Sequence, residues 1–276
     1  LTPGAGAPIG VFDSGVGGLT VLAALRARLG GEDFLYLGDT ARLPYGTKSG
    51  ETVVRYALQA ADTLVERGVK ALVVACNTAS SVALPALRDR FDGLPVIGVI
   101  EPGAEAAVAA TRSGVIAVIA TEGTVRGGAY QEAIARRRPA ARVRAAACQV
   151  FVALAEEGWG AGDVARAAAE RYLQPLLQAN PQEGPVDVLV LGCTHFPLLA
   201  PAIRSVTGKA VTLVDSAATT AAAVAAELGG RGLLRVATEP GRTSFMATDG
   251  VQRFARVGSG FLGAPIDSRD VELIDL

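Results

Sequence analysis

Short, continuously apolar runs rich in Val, Ile, Leu and Ala recur along this chain, each followed by a longer stretch with helical spacing. A strand that is apolar on both sides needs cover on both faces, and the intervening helices supply it. The pattern therefore predicts an α/β fold built on parallel sheets. Strand candidates are 9–13, 34–38, 71–76, 96–100, 115–120, 143–147, 186–191, 211–214 and 244–247. Helical stretches include 51–67, 80–90, 161–178 and 217–228. So many strands sit better in two sheets than in one doubly wound sheet. No Pro/Gly/Ser linker divides the chain. The best seams, near 98–103 and 205–209, suggest a first domain from 1–98 plus 209–276 and an inserted second domain at 99–208.

Composition narrows the partners. The 26 basic and 27 acidic residues of 276 leave a net charge of −1, which excludes a strongly basic nucleic-acid binder and offers a membrane surface nothing to attract. Mean hydropathy is high at +0.35, yet the most apolar runs (71–76, 115–120, 186–191) fall far short of the roughly 20 residues a membrane span needs. The first residues, Leu-Thr-Pro-Gly-Ala-Gly-Ala-Pro, lack the basic start and apolar core of a signal peptide. Cys76, Cys148 and Cys193 are an odd number and form no CxxC or Cys/His zinc spacing. Reduced thiols in a cytoplasm are the expectation.

Chemistry-bearing residues gather at strand ends, where open α/β sheets place their ligands. The first strand runs into Asp13-Ser14-Gly15-Val16-Gly17-Gly18. This segment reads either as a turn that brings main-chain N–H groups to an anion or as a glycine-rich tight turn capped by Asp13. It lacks a P-loop ending and does not fit G-x-G-x-x-G. The second strand ends in Gly38-Asp39-Thr40, followed by the turn residues Pro44-Tyr45-Gly46.

Two further strand ends resemble one another: Val73-Val74-Ala75-Cys76-Asn77-Thr78 and Leu191-Gly192-Cys193-Thr194-His195. A free cysteine is often a small buried hydrophobe, and Cys148 is read that way. Cys76 and Cys193 instead stand where a strand gives way to a helix, and the helix dipole favours a thiolate there. His195 is the sole histidine. Two thiols on matched strand ends suggest opposed acid–base groups, with Asp13 assisting one and His195 the other. Opposed bases imply inversion at a carbon centre.

These residues resemble the aspartate/glutamate racemase superfamily, and within it the glutamate racemases, in colinear order over most of the chain. The resemblance rests on Ile9 to Val21, Tyr36-Leu37-Gly38-Asp39-Thr40, Pro44-Tyr45-Gly46, Ala75 to Ser80, Gly98-Val99-Ile100-Glu101-Pro102-Gly103 and Leu191 to Leu199. It implies two similar doubly wound α/β domains facing each other across a central cleft. It also implies cofactor-independent interconversion of L- and D-glutamate, supplying peptidoglycan synthesis. The family's catalytic cysteines fall on Cys76 and Cys193, its assisting residues on Asp13 and His195, with Asp39 nearby. Its substrate contacts fall on Asp13, Ser14, Tyr45, Gly46, Asn77, Thr78, Thr124, Thr194 and His195.

Two segments depart from the family pattern. Gly-Thr-x-Ala-Thr-Val stands here as Ala120-Thr121-Glu122-Gly123-Thr124-Val125. Cys-Pro-x-Phe-Val-Pro-Leu-Val-Glu stands as Cys148-Gln149-Val150-Phe151-Val152-Ala153-Leu154-Ala155-Glu156, with both prolines replaced. Glu156 matches the family's cleft carboxylate. The expectation is a cytoplasmic homodimer acting on glutamate without metal, pyridoxal phosphate or nucleotide, and without nucleic-acid or membrane partners. A racemase for aspartate or another acidic amino acid, and a non-catalytic ligand-binding protein of this fold, are the alternatives.

Overall fold

The computed structural model describes residues 4–178, 180 and 182–276. The chain first lays down β1 (Ile9–Asp13), α1 (Leu19–Arg28), β2 (Phe34–Gly38), α2 (Gly50–Glu66), β3 (Ala71–Val74), α3 (Asn77–Val82), α4 (Leu84–Arg90) and β4 (Val96–Gly98). It crosses through α5 (Ile100–Ala110) to β5 (Val115–Ala120), α6 (Glu122–Gly127), α7 (Ala129–Arg137) and β6 (Arg142–Ala147). Then follow α8 (Gln149–Glu156), α9 (Asp163–Leu177), β7 (Val188–Gly192), α10 (Ala200–Thr207) and β8 (Thr212–Asp215). The chain returns through α11 (Ser216–Gly230) to β9 (Thr243–Ala247), α12 (Val251–Leu262) and β10 (Val271–Leu273).

The strands form two sheets, one of six strands in the order β10-β9-β2-β1-β3-β4 and one of four in the order β6-β5-β7-β8. Every pairing is parallel. The expected pair of α/β sheets is therefore present. The run β2-β1-β3-β4 has the same order as β6-β5-β7-β8, so β3 and β7 are equivalent strands. The likeness of their sequences at Cys76 and Cys193 reflects that equivalence.

Both faces of the larger sheet are buried, as continuous apolar strands require. Val11 lies level with Tyr36 and Val73, and all three join a core that also holds Val118 and Val190 of the smaller sheet. Their neighbours Phe12, Leu37 and Val74 point the other way, into a layer with Val53, Ala57 and Leu64 of α2. One core thus spans both sheets, and a second closes the outer face of the larger one.

Several expected boundaries move. β8 pairs with β7, so it belongs to the inserted unit, and the return to the first sheet follows Asp215 rather than starting at 209. The stretch expected as one helix at 80–90 is two, α3 and α4, because Pro85 lacks the N–H that a continuous ladder would use. The third strand stops at Val74, leaving Cys76 to cap α3. β10 had no sequence signal. It is three residues long with only Val271 buried, an edge strand held to β9 by main-chain bonds rather than by an apolar run.

Candidate active site

The thiols arrive at the cleft by the same route. Cys76 follows β3 and acts as the N-cap of α3, its sulfur accepting the Ala79 N–H at 3.4 Å. It also donates toward the Ser14 hydroxyl at 3.7 Å. Cys193 follows β7, with its sulfur 3.8 Å from His195 Nδ1. Cys76 and Cys193 both line one cavity of about 260 Å³ between the two units. Ser14, Tyr45, Gly46, Asn77 and Thr78 line it from the first unit, and Glu156, Thr194 and His195 from the second.

Hydrogen bonds across the cleft fix this meeting. Tyr130 of α7 donates to Asn77 Oδ1 at 2.8 Å. Asn77 Nδ2 is then left buried without a partner, in a residue that lines the cavity. Thr78 Oγ1 lies 2.9 Å from Thr121 Oγ1 and 3.2 Å from Thr124 Oγ1. Thr20 of α1 donates to the Thr194 carbonyl at 3.0 Å. Beside these pins, Gly17 packs so closely that a Cβ there would lie 2.3 Å from Thr194 Oγ1 and 2.5 Å from the His195 ring. The glycine that looked like part of an anion cradle or turn is a contact point between the two halves of the site.

The two thiols have different electrostatic surroundings. Burial, and then the Asp13 charge, push the Cys76 thiol up to about 12. Burial also raises Asp13, against the charge of His195 and main-chain donors at Gly18, Gly15 and Ser14. Its Oδ2 accepts the Gly15 N–H at 3.0 Å, while Oδ1 is buried without a partner. Beside Cys193 stands the His195 ring. Burial opposes the His195 charge, but bonds with Cys193 and Glu156 and the charges of Cys193 and Asp13 outweigh it, raising the ring to about 10. Glu156 Oε1 is 3.2 Å from His195 Nε2, and the Phe261 ring meets the same imidazole in a T-shaped contact.

Three singled-out residues stand behind the cavity rather than on its surface. Asp13 is buried, and its charge acts on both Cys76 and His195. Asp39 is fully buried, and its oxygens are taken up by Tyr45, by Arg42 Nε at 2.7 Å and by Thr248 at 3.0 Å. It holds Tyr45, which does face the cavity. Thr124 is buried in the threonine cluster with Thr78 and Thr121. Sequence reasoning missed Thr121, Gln149, Val152, Ala153, Leu43 and Pro44 in the lining. Thr121 directly follows β5, and its place at a strand end was a signal that could have found it. Among the described residues no group of three or more His, Cys, Asp or Glu side chains converges as a metal ion would require.

Residues 19–224 match the family model described as Asp/Glu/Hydantoin racemase. The chain belongs to this family. A glutamate racemase of Geobacter metallireducens is 53% identical over 258 residues, covering 94% of this chain and 93% of that one. One from Neisseria meningitidis is 45% identical, covering 98% and 97%. Among solved structures, glutamate racemase from Francisella tularensis in complex with D-glutamate superposes with a TM-score of 0.90 at 34% identity, over 98% of each chain. The resemblance seen in the motifs is borne out, and membership in this racemase family makes the protein an isomerase.

Proposed function

We propose that the protein interconverts L- and D-glutamate by a two-base proton transfer without a cofactor, supplying D-glutamate for peptidoglycan. One observation carries the reading: equivalent strands of two similar sheets each deliver a thiol to the same cavity. The α-hydrogen of an amino acid is weakly acidic, so a base on one face and a proton donor on the other are needed to invert the carbon. Cys193 takes the proton from L-glutamate while Cys76, held protonated by its surroundings, delivers one to the opposite face. In the reverse direction Cys76 is the base, and Asp13, raised by burial, receives its proton. His195 keeps a proton beside Cys193. Asn77 Nδ2 and the hydroxyls of Ser14, Thr78 and Thr194 bind the substrate's carboxylates. The setting is a cytoplasmic homodimer.

Labelling in heavy water tests the mechanism. Each turnover should place deuterium on the product while early recovered substrate stays unlabelled, because abstraction and return use different thiols. Cys76→Ala and Cys193→Ala should each lose racemisation by roughly 10²–10⁴-fold or more. Near-normal racemisation by either variant, or equal early labelling of substrate and product, would show the reading to be wrong. Faster turnover of aspartate than of glutamate would overturn the substrate assignment alone.

A further inference from the structure

We infer that Arg253 is a positioning residue for the Cys193 side of the reaction, acting through Glu156 and His195. The inference rests on the two-thiol reading above. Glu156, the last residue of α8, stands in the wall between the main cavity and a smaller recess of about 190 Å³ that Arg253 also lines. Both carboxylate oxygens are used. Oε1 pairs with His195 Nε2 at 3.2 Å, and Oε2 accepts from Arg253 Nη2 at 2.7 Å. With His195 Nδ1 3.8 Å from the Cys193 sulfur, a row of four groups runs from the protein surface to the thiol.

Arg253 does not line the main cavity, so its effect must pass along this row. It belongs to α12, between two strands of the six-stranded sheet, whereas Glu156, His195 and Cys193 belong to the inserted unit. The row is therefore complete only when the two units are docked. Without its cation, the Glu156 carboxylate is free to rotate into the recess and leave the imidazole without its acceptor. The titratable and charged groups around this pair are Asp13, Cys193, Arg253 and Asp249, the last lining the same recess. Bonds to His195 and then Arg253, against burial, hold Glu156 below the usual carboxylate range. The Arg253 side chain is 53% exposed, against 19% for Glu156 and 10% for His195. Water thus screens its direct repulsion of the ring more than it screens the Glu156–His195 contact. Removing Arg253 should on balance make His195 release its proton at lower pH.

Because His195 is the only histidine, one imidazole resonance reports on the row without any turnover. The test is an NMR titration of that resonance in the full-length wild type, Arg253→Gln and Arg253→Lys, with kcat and KM for glutamate across pH. Arg253→Gln should lower the imidazole titration by about one pH unit, cut kcat roughly tenfold and leave KM within about twofold. Arg253→Lys should recover most of both effects. A titration and kcat at wild-type values in Arg253→Gln would overturn the inference, as would a rise in KM with the titration unmoved. The two readings fail separately: racemisation by Cys193→Ala overturns the two-thiol mechanism, whereas an unmoved imidazole overturns only the role of Arg253.

Discussion

At the scale of single residues, the site depends on a few atoms with no slack. Gly17 faces the inserted unit with no room for a methyl group. On the proposed mechanism, Gly17→Ala should displace Thr194 and His195 and reduce kcat/KM by at least about tenfold, since small misplacements at a reacting centre are costly. A crystal structure of the variant, with steady-state rates, checks this, and unchanged rates would mean the contact yields freely. His195 carries a pH signature. Its folded value, about 10, lies above the ordinary imidazole value of 6.5. The stability from its charged form is thus fully present below about 6.5 and is lost as pH rises through about 10. The difference in Tm between wild type and His195→Gln should accordingly narrow from pH 6 to pH 10.5. A difference that widens over that range would contradict the assignment of charge to this ring.

At the scale of elements, α3 and α7 meet at the cleft through one buried bond, Tyr130 to Asn77. The phenol fixes which way the carboxamide points and so leaves Nδ2 as the free donor. Tyr130→Phe should cost about 1–3 kcal/mol by orphaning a buried acceptor. On the proposed substrate contacts it should also raise KM for glutamate several-fold while changing kcat less, because the lost feature is the orientation of Asn77. Urea denaturation and steady-state kinetics measure the two effects. A lower kcat at constant KM would place Asn77 in the chemical step instead. Thr78 of α3, Thr121 just before α6 and Thr124 within it act as a second pin, and Gly46 fits against Thr121 with no space for a side chain.

At the scale of the whole molecule, one apolar core joins the two sheets, and α11 returns the chain from the second to the first. Such a core should make the units unfold together despite the chain's length. Trp159 is the only tryptophan and lies in the inserted unit. Its fluorescence and the far-UV circular dichroism should therefore report coincident urea transitions. Separate midpoints would mean that one unit unfolds before the other, and that the shared core does not couple them.

The sequence by itself determined the class of fold, because apolar strands alternating with helices have few other ways to bury both faces. It also marked the two thiols, since each closes a similar strand and opens a helix, and it flagged the strand-end residues Asp13, Ser14, Asn77, Thr194 and His195. Local pattern carried less about boundaries. Thr212–Asp215 could follow either sheet until β7 took it as a partner, and β10 is too short and too exposed to leave a periodic signal. Asp39 and Thr124 look like cleft residues in sequence, but their partners turn them inward. The meeting of Arg253 with Glu156, and of Gly17 with His195, joins residues far apart in the chain through side-chain contact across two units. No local propensity encodes such contacts; only the packing of one sheet against the other decides them.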